Sequence, residues 1–247
     1  MPTPALKARP ALDLPPAYTL MTLRERGDAH AHACRIAAEA GAGTFVFVRR
    51  FDLVEFAVVL EPEEPLRSAR RAFLAGMAAV ADGLSAHCPP EKAVTFDWPD
   101  AIRFDGARLG GARLGWPRSC PEDGTPDWLV FSAMLLASKK DEGGLTPDST
   151  SLEEEGFGPE EREGVAESFG RHLMLHLHIW SERGFGPIAN DFLARLPRKT
   201  GVLRRAIDQN GDLLLHRVGT PEPERLPLLP GLLSPSWIDA RTGGPLL

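Results

Sequence analysis

The stretch "TFDWPDAIRFDGARLGGARLGWP", residues 95–117, constrains the fold more than any other part of the chain. It holds a Trp-Pro corner, an Asp105-Gly106 pair and a Gly110-Gly111 pair. Asp-Gly between two alternating runs is a hairpin signal, because a two-residue turn needs positive φ. The segment therefore reads as short strands over 93–96, 101–105 and 107–116. The glycine pair leaves two readings open. It marks a bulge, since glycine weakens a strand unless something needs the space. Alternatively, it bares the backbone so that a ligand lies against it. Strand alternation puts 108, 110 and 112 on one face and 109, 111 and 113 on the other. With the even face inward, Arg108 lies over Gly110 and Arg113 points away. A guanidinium above bare peptide suits a carboxylate or a phosphate, held bidentately.

The rest of the chain supplies hairpins and helices in separate groups. "YTLMTLRE" (18–25) reads as a first strand. A helix follows, with Asp28 as N-cap and Gly41 as stop. "TFVFVRR" (44–50) and "VEFAVVLEP" (54–62) read as a hairpin of β-branched and aromatic residues. Residues 65–88 read as one long amphipathic helix, with Leu66, Ala69, Phe73, Met77, Val80 and Leu84 at spacings of three and four. "DWLVFSAMLLAS" (127–138) is too apolar for an exposed strand and reads as a central one. Residues 139–158 read as a polar, glycine-rich loop. Helices are expected from Pro159 to Glu182 and within "GFGPIANDFLARLP". Strands near 202–208 and 212–218 flank Asn210-Gly211, and 219–247 reads as an irregular tail. Helices between groups of hairpins imply an α+β fold: a mixed, mainly antiparallel sheet with helices packed on it. The expected organisation is a proline-rich arm (1–16), a main domain (17–200) and a small C-terminal β appendage (201–247).

Composition narrows the function classes. The 247 residues are 43% hydrophobic and 25% charged, as in an ordinary globular protein. A net charge of −6 argues against nucleic acid, whose phosphates need a clustered basic face. No apolar run reaches membrane-spanning length, and prolines break the N-terminal segment, so no membrane partner is expected. The three cysteines are widely spaced, which fits a reducing compartment, and the cytoplasm is the expected location.

Residues 95–117 resemble the catalytic module shared by biotin protein ligases, lipoate ligases and octanoyltransferases. The pattern in biotin ligases is K-W-P-N-D-hydrophobic, a turn, then K-hydrophobic-G/A-G. Here Asp97 stands in the first lysine's place, and Trp98 and Pro99 match. Asp100 stands for the asparagine and Ala101 for the aspartate, while Ile102 is the apolar residue. Arg108 takes the second lysine's place, and Leu109, Gly110 and Gly111 match. "EAGAGTFVFVRR…FAVVLEP" is similar to the family's glycine- and arginine-rich loop and its strands, and "AIDQNGDLLL" to its C-terminal hairpin. The likeness runs in order over most of 20–217.

The resemblance implies an enzyme that binds a biotin-, lipoate- or octanoate-like carboxylic acid and passes the acyl group to a carrier-protein lysine. ATP and Mg²⁺ are implied where adenylation is retained. Arg108 is the implied catalytic cation. Trp98, Asp100, Gly110, Gly111, Gly43 and Arg49 are the implied substrate contacts. The departures define an alternative. Asp97 would repel phosphate, and "GAGT" at 41–44 lacks the arginines that close over an adenylate. A non-catalytic binder or sensor of the acyl cofactor fits these losses. No metal site is assigned. Asp97 and Asp100 read as solvated or capping carboxylates, and His172 and His176, four apart, as satisfied or surface histidines. His30 and His32, two apart, point to different helix faces. Cys34 reads as core, and Cys120 as a loop thiol near the glycine strand.

Overall fold

The computed structural model describes residues 12–88, 91–139 and 146–247. Most of the expected proline-rich arm and residues 140–145 of the expected loop lie outside the described residues.

Strands β1 (Thr19–Leu23), β2 (Thr44–Val48), β3 (Leu53–Leu60), β4 (Val94–Asp97), β5 (Ala101–Phe104), β6 (Ala107–Gly115) and β7 (Leu129–Leu136) form one sheet in the order β1-β2-β3-β7-β6-β5-β4. Only the β1–β2 pair is parallel. Helix α1 (Ala29–Ala40) crosses between those two strands, as a parallel connection requires. The expected α+β class and its mainly antiparallel sheet are what the structure has. A second, three-stranded sheet of β8 (Val202–Ile207), β9 (Leu213–Arg217) and β10 (Glu224–Leu226) follows.

Helices cover both faces of the main sheet. Asp28 caps α1 through Ala31 N–H, and Gly41 ends it at φ 77°. The alanines 29, 33 and 37 of α1 pack on Val46, Val48, Ala57, Val59 and Val130. On the opposite face lie α3 (Ala72–Ser85) and α4 (Pro159–Arg183), the latter followed by α5 (Gly186–Arg195). There Phe169 of α4 lies between Phe56 and Phe131, with ring centroids 4.5 and 5.5 Å away.

Two expectations need correction. The single helix over 65–88 is broken into α2 (Leu66–Ala69) and α3, with Arg70 and Arg71 between them. Leu66 and Arg67 N–H groups bond the carbonyls of Gly124 and Glu122, and buried Arg70 pairs bidentately with Glu122. Those distant partners outweigh the local periodicity. The tail after 219 is not wholly irregular, since it contains β10 and a short helix α6 (Leu229–Leu233), and it buries Trp237.

Gly76 of α3 faces the ring of Phe131, where a Cβ would stand 2.3 Å from two ring carbons. Gly76→Ala is expected to cost about 1–3 kcal/mol by overpacking, against alanine's better helix propensity. A urea titration with unchanged slope and a lowered midpoint checks this.

Candidate functional site

The glycine strand departs from simple alternation. Ile102 pairs with Gly110 but Arg103 pairs with Arg108, so Leu109 is an extra residue in β6. Cross-strand partners share a face, and this bulge reverses the faces on its two sides. The expected arrangement of Arg108 over Gly110, with Arg113 turned away, is therefore corrected. Arg108, Gly111 and Arg113 share the α1 face, and Gly110 belongs to the other. A Cβ on Gly110 would lie 2.0 Å from the carbonyl oxygen of Met134, so that glycine admits the neighbouring strand.

The α1 face is ordered in rows. Ala57, Ser132 and Arg113 stand across β3, β7 and β6, and Glu55, Met134 and Gly111 form the next row. The N-terminus of α1 sits over both. Glu55 is buried and accepts the Ala29 N–H at 2.7 Å. Burial pushes its carboxyl above the usual range, opposed by that N–H and by Arg50. Arg50 grips both oxygens of Asp52 at 2.7 Å and reaches Glu55 at 3.4 Å. His30 Nδ1 lies 2.8 Å from the Ser132 hydroxyl, and its Nε2 lies 3.7 Å from Cys34 Sγ. Arg113 meets Asp28 at 3.4 Å, and Arg103 meets Asp97 at 2.7 Å.

The carboxylates of this face are thus matched within the protein. Glu55 takes the place at the α1 N-terminus that suits an anion. Arg108 is different. Its backbone bonds Asp148 and Thr150, but its half-buried guanidinium makes no ion pair or hydrogen bond with the described residues.

The remaining expected residues fall in three places. Asp100 is 1% exposed, and its carboxylate accepts the Ser236 N–H at 2.8 Å and the Ser236 hydroxyl at 2.7 Å. Gly111 does not offer an open floor, because its missing Cβ would lie 2.4 Å from both the Asp100 carbonyl and Trp237 Cδ1. Trp98 packs edge-on against Phe192 of α5, 5.9 Å between centroids. Gly43, at φ 80°, sits at the opposite end of the sheet from Arg108, where a Cβ would lie 2.4 Å from the Ala17 carbonyl. There it lines an apolar groove of about 540 Å³ with Tyr18, Leu60, Met174 and Trp180. Arg49 follows β2 at the Arg108 end of the sheet, its N–H bonded to Leu23 O. That end also holds a cavity of about 280 Å³ of mixed lining, with Arg50, Asp52 and Lys139 beside Leu53, Leu136 and the tail residues Thr242 and Pro245.

Residues 14–194 match the model of the biotin/lipoate A/B protein ligase family. The chain belongs to that family. Among solved structures, a biotin protein ligase-like protein of unknown function from Silicibacter sp. TM1040 is 28% identical. The match covers 90% of this chain and 99% of that one, with a TM-score of 0.75. The apo biotin protein ligase of Aquifex aeolicus is 14% identical over 85% and 95% of the two chains, with a TM-score of 0.64. The Leishmania major biotin protein ligase bound to biotinyl-5-AMP is 16% identical over 86% and 99%, with a TM-score of 0.52. At those identities the two ligases establish the fold. No curated protein matches the sequence.

Sequence reasoning missed Trp237, Ser236, Glu55 and the His30–Ser132 contact. His30 and Ser132 are 102 positions apart, so no spacing pattern joins them. The histidines 172 and 176 serve structure. His172 bonds the Ser168 carbonyl, and His176 pairs with Asp82, which also holds Arg195. The thiol of Cys120 donates to the carbonyls of Pro121 and Gly124, and burial pushes Cys34 up to about 11, so neither has the look of an activated nucleophile. No helix among the described residues is long and apolar enough to cross a membrane.

Burial and the nearby Arg113 charge lower His30 to about 4, with Asp28 opposing. The folded value lies below the ordinary 6.5, so its contribution to stability is complete above about 6.5 and is lost as pH falls towards 4. The His30 ring is expected to titrate by NMR with a midpoint near 4. In His30→Gln the fall in urea midpoint between pH 6.5 and 4 should be shallower.

Proposed function

We propose that this protein binds a biotin-, lipoate- or octanoate-like carboxylic acid on the α1 face of the sheet without adenylating it. Arg108 holds the carboxylate, and β6 from Arg108 to Arg113 supplies the wall. The carrying observation is the charge balance of this face. Arg50, Arg103 and Arg113 each already face a carboxylate, and the Arg108 guanidinium has no partner among the described residues. One cation matches one carboxylate. A triphosphate with its developing charge needs several such groups, all unpaired.

The residues present do not fit ATP and Mg²⁺. Asp97 is held by Arg103, and both oxygens of Asp100 are taken by Ser236, which leaves neither free to ligate an ion. Glu55, Asp52 and Asp28 already engage Arg50 and Arg113, so those cations are not available to a phosphate on this face. The reading therefore favours an acyl-cofactor binder or sensor over a ligase that charges a carrier-protein lysine.

Calorimetry with biotin, lipoate and octanoate tests binding, and exchange of labelled pyrophosphate into ATP tests adenylation. The expected outcome is binding of one acid with no exchange. Arg108→Ala should weaken that binding by about tenfold to a hundredfold, on the order of 1.5–3 kcal/mol for a hydrogen bond to a charged group, and Arg108→Lys should weaken it less. Exchange that depends on one acid would instead establish adenylation, with transfer to a carrier domain as the next assay.

A further inference from the structure

The apolar groove at the Gly43 end of the sheet lies on the face covered by α3 and α4, away from the α1 face and from Arg108. Its volume of about 540 Å³ is that of a small-molecule site. Alanines 69 and 72 line it, and their short side chains leave the space open. Met174, Leu177 and Trp180 recur three apart along α4, so one stripe of that helix is turned to the groove. Met174 is 39% exposed there, and covering such apolar surface is favourable. The mouth is acidic. Glu61, Glu63 and Glu64 line it, and among the described residues no lysine, arginine or histidine does. Arg71 beside it is already matched, since it bonds Glu64 at 2.6 Å and lies over Trp180 at 5.3 Å. Glu64 is thereby neutralised. Exposed Glu61 accepts the Ala42 N–H at 3.1 Å, and exposed Glu63 bonds nothing among the described residues. Two carboxylates thus stand without a counter-charge at the edge of an apolar pocket.

We infer that this groove is a second ligand site, which takes a small organic cation with an apolar body, of the alkylammonium type. The apolar body lies against Leu60, Met174, Leu177 and Trp180, and the cationic head stays at the mouth beside Glu61 and Glu63. The two parts of the ligand do different work. Burial of the apolar body supplies most of the affinity, in proportion to the area removed from water. The carboxylates select the sign of the charge. An exposed ion pair adds little, but an anion of the same shape meets two like charges and no cation. The head remains in water, so no charge is buried unpaired. The groove is thus the electrostatic opposite of the Arg108 site. It shares no residue with that site, and the inference does not rest on the acid-binding reading.

The test uses the full chain with octylammonium, octanol and octanoate, probes of equal chain length. Calorimetry measures binding. NMR of isotope-labelled methionine methyl groups reports its place, since Met174 lines the groove and Met134 lies on the α1 face. Octylammonium is expected to bind the wild type and to shift the Met174 methyl while leaving that of Met134 in place. Octanol should bind at least threefold more weakly, and octanoate should leave Met174 unmoved. The double variant Glu61→Gln, Glu63→Gln should bind octylammonium about threefold to tenfold more weakly, the size expected of two exposed ion pairs, and the difference should fade in about 0.5 M salt. Met174→Lys, at an exposed position, should abolish binding, with circular dichroism confirming the fold. If a variant does not fold, the wild-type methyl shifts and the octanol comparison decide. Equal binding of octanol and octylammonium, or an unmoved Met174 methyl, would overturn the cation site. So would a dimer in sedimentation that Met174→Lys dissociates, because a second copy would then cover the groove. Each of these outcomes leaves acid binding at Arg108 standing.

Discussion

Close approach to the backbone of β6 is the constraint on which the rest of the structure depends. At Gly110 the Met134 carbonyl of β7 stands where a side chain would begin. At Gly111 the Asp100 carbonyl and Trp237 do the same, and at Gly115 the Cys34 sulfur of α1 would lie 2.5 Å from an added Cβ. Three bare positions on one strand thus set the placement of the adjacent strand, the Trp237 indole and the helix. Each contact replaces a side chain's own volume with a neighbour's, which keeps the packing dense where three layers meet. The extra residue Leu109 then decides which side of the sheet receives the Arg108 charge.

Charge on the α1 face is arranged to cancel. A buried carboxylate costs free energy unless hydrogen bonds and a counter-charge hold it. Glu55 has the Ala29 N–H and Arg50, and Asp100 has Ser236. Both pairings satisfy the protein, and that of Glu55 also removes the Arg50 cation from use by a ligand. The family's fold is therefore kept while the electrostatics of its face are turned inward. On the acid-binding reading proposed above, such a face discriminates by charge count, because each extra negative charge on a ligand meets a cation already paired.

Local signals in the sequence were reliable where local physics decides. Asp28 caps α1 and Gly41 stops it, Pro159 opens α4, and the apolar run from Leu129 to Leu136 is the central strand. The likeness carried by Trp98, Pro99 and Leu109–Gly111 led to the right family over residues 14–194. What failed was anything that needed a distant partner. The alternation of 108, 110 and 112 assumes an unbroken ladder, and the bulge depends on how β5 pairs with β6. The break at Arg70 depends on Glu122, 52 positions away. Asp100, a plain turn carboxylate by its neighbours, is held by Ser236 from 136 positions on.

Gly111 carries the sharpest form of that limit. A glycine in a strand says that something comes close, since its entropic cost needs a return. It does not say what comes. The residue reads equally well as a floor for a ligand and as a seat for an indole, and here the indole occupies the seat. The two readings exclude each other only if the occupant is permanent. An indole that belongs to the core would need anchors on several sides. This one has them, because Trp237 is buried in the main core, its ring bonds the Ala112 carbonyl, Ser236 before it holds Asp100, and Ile238 after it packs on the core. Gly111 is therefore a packing position, and the close approach that its missing side chain announces is that of the chain's own indole and of the Asp100 carbonyl.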